Sequence, residues 1–85
     1  MAKKTWKIGE YAKGGIITAE VKGNSVTIIG LNQFNGKEFT RLTVNVENSN
    51  ARRELDFFLI DLTTSYYTDK ILEWIETKVK FKTSW

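Results

Sequence analysis

Apolar and polar residues alternate through the first half of the chain, and glycine-bearing pairs interrupt the alternation. β-Branched and aromatic side chains dominate residues 5–46, with Gly14-Gly15, Gly23-Asn24 and Asn35-Gly36 as punctuation. This is the composition of short strands joined by tight turns. The turns separate four predicted strands, at about 5–12, 16–22, 26–34 and 37–46. Connections this short leave room only for hairpins, so the sheet is expected to be an antiparallel meander.

The parity of each strand assigns its faces. Asn-Gly favours a two-residue type I′ turn, which would pair Leu31 with Thr40, Ile29 with Leu42 and Thr27 with Val44. Ile29, Leu31, Leu42, Val44 and Val46 then share one face, the expected core side. In the second strand the apolar set is Ile17, Ala19 and Val21. A two-residue turn at Gly23-Asn24 would place that set opposite Ile29. Because a slip of one residue exchanges the faces, this register calls for a three-residue loop, Gly23-Asn24-Ser25, or a bulge near Ile28-Ile29-Gly30.

Beyond residue 50 the period changes. Ala51, Leu55, Phe58, Leu59, Leu62 and Tyr66 recur at helical spacing, the signature of an amphipathic helix. Ser49 or Asn50 is placed to cap it, and Arg52 and Asp56 stand one turn apart. Thr63 to Thr68 collects poor helix formers, after which Ile71, Leu72, Ile75 and Val79 form a second stripe, with Thr68 as its cap and Asp69 in its first turn. Either one long helix bends near residue 65 or two meet there; the composition favours two, about 50–64 and 68–80. The reading is a single domain over residues 1–85 with an α+β fold. It has two layers, a four-stranded antiparallel meander followed by a C-terminal helix, whole or broken, covering one face.

Composition narrows the chemistry. The 85 residues include no cysteine, histidine or proline, which excludes a zinc finger, a thiol nucleophile, a Ser-His triad and an imidazole base. Glu73 and Glu76 stand three apart, but Lys70 and Lys80 flank them, the pattern of a salt-bridged solvent face. Asp56 and Asp61 also flank an apolar stripe as surface residues. Gly9 to Gly15 matches Gly-x-x-x-x-Gly, yet Gly-Ile follows where a phosphate loop needs Lys and Ser or Thr. No enzymatic activity, cofactor or metal site is expected. The longest apolar run, Phe57–Ile60, is far short of the ~20 residues of a membrane span. The basic N-terminus lacks the apolar segment of a signal peptide, and Ala2 fails the myristoylation pattern. A cytoplasmic protein without membrane attachment is expected.

The net charge of +3 is unevenly distributed. Residues 1–46 hold seven basic and three acidic side chains, a net +4, while residues 47–85 hold six and seven, a net −1. On the expected register the outer face of the sheet carries Asn32, Phe34, Lys37, Phe39, Arg41, Thr43 and Asn45. The second strand adds Ile16, Thr18, Glu20 and Lys22, and the first adds Lys7 and Tyr11. Rings among cations suit single-stranded nucleic acid, with bases stacking while phosphates meet lysine and arginine. The candidate nucleic-acid-binding residues are therefore Lys7, Tyr11, Lys22, Phe34, Lys37, Phe39 and Arg41. The same face and the unpaired strand edges would also serve a homo-oligomeric interaction module with no nucleic-acid partner. The tail from Lys78 to Trp85 alternates basic and apolar residues. Its lysines suit a helix C-terminus, and it would otherwise extend a cationic surface. Trp6 and Trp74 read as core or a dimer seam, and Tyr66-Tyr67 as a cover for the helix junction.

The order of a four-stranded meander and then a helix, over residues 5–66, is similar to the repeat unit of the PUR-alpha and Whirly single-stranded nucleic-acid-binding families. That resemblance implies a homodimer or pseudo-dimer with nucleic acid along the curved sheets.

Overall fold

A computed structural model describes residues 1–82. Four strands, β1 (Ala2–Lys7), β2 (Gly15–Lys22), β3 (Ser25–Asn32) and β4 (Glu38–Asn45), form one antiparallel sheet in sequence order. Two helices follow, α1 (Ala51–Leu62) and α2 (Ser65–Glu76). The α+β meander with helices on one face is the expected architecture, and the helical region is two segments rather than one.

Register is where the expectation fails. Lys22 pairs with Ser25, so the β2–β3 turn has two residues, not three. Only Gly23 has positive φ there, at +58°, the pattern of a type II′ turn with glycine first. Parity then places Val26, Ile28 and Gly30 beside Val21, Ala19 and Ile17. Ile29 and Leu31 go to the opposite face. The β3–β4 connection is not the two-residue Asn35-Gly36 turn either. It spans residues 33–37, closed by Asn32 N–H to Lys37 O and Gly36 N–H to Asn32 O at 2.9 and 2.7 Å. The Asn32 side chain accepts from Phe34 N–H at 2.8 Å, a local bond that competes with a tighter turn. Gly30 consequently pairs with Thr40, Ile28 with Leu42 and Val26 with Val44. The bulge lies between Gly30 and Leu31, just beyond the stretch where it was expected.

The core thus comprises Ile17, Ala19, Val21, Val26, Ile28, Val44 and Val46 from the sheet side and Ala51, Leu55, Leu59, Leu62, Ile71, Leu72 and Ile75 from the helices. Trp6 packs edge-to-face on Trp74, with ring centroids 5.8 Å apart, which joins β1 to α2. Lys4 shares this inner parity and brings its ammonium to 5.3 Å from the Trp6 ring, so its stem covers apolar surface while the charge stays wet.

The helix ends also differ from expectation. The Asn50 side chain makes no capping bond. Thr64, not Thr68, caps α2, accepting from Tyr67 N–H at 3.4 Å. Arg52 reaches Glu76 of the other helix at 3.5 Å. α2 ends at Glu76, so the tail lysines lie past it. Lys78 stands 5.8 Å from the Trp74 ring, Phe81 is buried, and Lys82 N–H bonds Val46 O. Thr83, Ser84 and Trp85 of the expected tail surface lie outside the described residues.

Thr68 is 1% exposed in the first half of α2, and its hydroxyl has no partner among the described residues. A buried unpaired hydroxyl retains its desolvation cost, while an apolar group of the same shape does not. Thr68→Val is expected to raise the unfolding free energy by about 1 kcal/mol in a urea titration. An unchanged or lower midpoint would show that the hydroxyl is satisfied.

Candidate functional site

The outer face of the sheet can be read row by row from the pairing. Lys7, Ile16, Leu31 and Glu38 form one row, Thr5, Thr18, Ile29 and Arg41 the next, and Lys3, Glu20, Thr27 and Thr43 the third. Lys22, Ser25 and Asn45 close the far end. Threonine pairs run across it, Thr5 with Thr18 at 3.0 Å and Thr27 with Thr43 at 2.9 Å. Ile29 is buried on this side but stands outside the core cluster. The face thus carries cations, as expected, but no aromatic ring occupies its strand pairs.

Its charges are also partly neutralised. Arg41 donates from Nε and Nη2 to the two Glu38 carboxylate oxygens, at 2.8 and 2.7 Å. Those bonds hold the Glu38 carboxyl below its ordinary range, and they push Arg41 up. Lys3 lies 3.9 Å from Glu20. Among the described residues, Lys7, Lys22 and Lys37 have no carboxylate within salt-bridge distance.

The rings expected on this face lie elsewhere. Phe39 sits at the bulge, where the extra residue turns the chain. A Cβ added at Gly30 would stand 3.0 Å from Phe39 Cζ and 2.8 Å from Thr40 Cγ2. Gly30 shares the helix-side parity of Ile17, so the Phe39 ring occupies the room its missing side chain leaves. The ring also lies against Gly14, whose φ of +79° only glycine adopts freely. Tyr11 closes a single 3₁₀ turn, Gly9–Tyr11, entered through Gly9 at φ +66°. That turn ends β1 at Lys7, well short of residue 12. Tyr11 turns its ring toward α2, 6.3 Å from Tyr67, which in turn meets Tyr66 edge-on at 5.0 Å.

Backbone contacts tie these pieces together at one end of the molecule. Lys13 N–H donates to Leu62 O at 2.8 Å, Ala12 bridges to Thr63, and the Thr63 hydroxyl donates to Tyr11 O. Gln33 N–H donates to Gly14 O at 2.6 Å, which holds the loop 33–37 beside the Gly14 turn. That loop carries Phe34, 89% exposed, and Lys37. Residues 10–13 and 62–64 line an open depression of about 290 Å³ at the same end.

Of the seven sequence-predicted residues, Lys7, Tyr11, Phe34, Lys37 and Phe39 therefore gather at the loop end, with Arg41 just inside it. Lys22 stands at the opposite end, beside the Gly23-Asn24 turn. Sequence reasoning missed Tyr66 as a member, although its place at the helix break was legible. Lys70 stands 5.5 Å from the Tyr66 ring, and Lys13 pairs with Asp61 at 3.3 Å. Among the described residues there is no cluster of three or more groups able to ligate a metal and no helix long and apolar enough to cross a membrane. No family model matches the chain, and no curated protein or solved structure matches it.

The seat of Phe39 depends on Gly30 having no side chain. Gly30→Ala is expected to cost about 1–3 kcal/mol by overpacking and to displace the ring. Denaturation and the proton shifts of Phe39 measure both effects. Unchanged stability with unchanged ring shifts would contradict this packing.

Proposed function

We propose that the chain is a non-enzymatic binder of single-stranded DNA or RNA, and that it binds at the loop end of the sheet rather than over its outer face. One observation carries the reading. Of the five exposed aromatic rings among the described residues, four, Tyr11, Phe34, Phe39 and Tyr66, stand at this end, and Phe57 on α1 is the exception. Exposed rings offer π-faces to bases without sequence preference. Lys7 and Lys37, with no carboxylate partner among the described residues, meet the backbone beside them, and Arg41 adds a third cation when phosphate displaces Glu38. The PUR-alpha and Whirly resemblance supports the same substrate class through the meander-and-helix order.

Anisotropy of a labelled oligonucleotide tests the proposal. With about three phosphates neutralised, affinity is expected to fall about twenty-fold between about 50 and 200 mM salt. Phe39→Ala is expected to cost ~1–3 kcal/mol of binding through one lost stack. Lys22→Ala, at the far end, leaves affinity unchanged. Absence of saturable binding at low salt overturns the function, and a Lys22→Ala defect equal to that of Phe39→Ala overturns the location.

A further inference from the structure

The two edges of the sheet are unlike. β1 carries Lys3, Lys4 and Lys7 within six residues, and lysines along an edge repel a second strand. β4 carries two charges, Glu38 and Arg41, and these neutralise each other. The rest of β4 is Phe39, Thr40, Leu42, Thr43, Val44 and Asn45, which bring no further charge and no proline to the edge.

The hydrogen-bond pattern shows which groups that edge offers. Val46 N–H donates to Asn24 O at 2.8 Å, so Val46 faces β3, and bonded pairs then alternate along an antiparallel ladder. Val44, Leu42 and Thr40 face β3 with it. Arg41, Thr43 and Asn45 aim their N–H and C=O groups away from the sheet. The close approach of the Thr27 and Thr43 hydroxyls, 2.9 Å, fits a non-bonded pair at that position.

We propose that β4 is the contact between two copies of this chain, paired antiparallel about Thr43 into one continuous eight-stranded sheet. In that register Thr43 faces the partner's Thr43, and Arg41 faces the partner's Asn45. Leu42, half-buried in the single chain, faces the partner's Val44 and loses its remaining exposure to water. Centring the pair on Arg41 instead would set two guanidinium groups face to face, which like-charge repulsion opposes. The bulge before Thr40 ends the usable edge, so the contact covers residues 41–45.

A chain without cysteine makes a direct test simple. Bonded antiparallel partners stand about 5.5 Å apart at Cα, within the ~4.4–6.8 Å range of disulfides. Thr43→Cys is therefore expected to oxidise to a covalent dimer at micromolar concentration, while Thr5→Cys on β1 stays monomeric. Sedimentation of the otherwise unmodified chain should show a dimer. Thr43→Lys should sediment as a monomer with the same circular dichroism. A monomer at every concentration, equal cross-linking of the two cysteine variants, or a Thr43→Lys dimer would each overturn the proposal. No nucleic acid enters these measurements, so their outcome is independent of the oligonucleotide reading.

Discussion

The two-residue turn at Gly23-Asn24 governs the rest of the structure. Strand parity has a period of two, so the turn decides which half of β3 meets the helices. With Lys22 opposite Ser25, the inner residues are Val26, Ile28 and Gly30. Val26 and Ile28 are wholly buried. Gly30 leaves a gap at the loop end that the β4 bulge fills with Phe39. Ile29 and Leu31 emerge on the other side, where with Ile16 they make the loop half of the outer face apolar in place of the rings.

Much of this was legible in the chain. Four strands, three turns, the change of period near residue 50 and the break near residue 65 all follow from local chemistry. The register did not, because the β3–β4 connection is decided by bonds between side chain and backbone. Asn32 ties Phe34 N–H, and Asn35 ties Lys37 N–H at 2.8 Å, so Asn-Gly ends inside a wider loop. Both turns differed from their expected lengths. The cations Lys7, Lys22 and Arg41 kept their predicted face, because the changes cancelled for β2 and β4. Only β3 and the bulge residue Phe39 changed sides. Tyr11 was misplaced for another reason: Gly9 ends β1 early, and the 3₁₀ turn redirects the ring toward Tyr67.

The outcome separates charge from aromaticity. The outer face holds most of the sheet's cations, but Glu20 and Glu38 sit among them, and threonine pairs occupy its middle. The rings instead follow the junction where Ala12 meets Thr63 and where Gln33 meets Gly14. Those contacts join three chain segments far apart in sequence, which local patterning does not encode. The Thr63 bond to Tyr11 O and the packing of Phe39 against Gly14 and Gly30 hold these rings in place, which lowers the ordering cost of any stack formed there.

The proposed contact with single-stranded nucleic acid lies at the loop end of the sheet. Amide chemical-shift mapping during titration with a single-stranded oligonucleotide tests it most directly. Perturbations concentrated at residues 7–16, 31–41 and 63–67, with silence at 22–26 and 46–50, are the predicted result. A footprint centred on Lys3, Lys22 and Thr27 would instead put the contact on the outer face, away from the loop end.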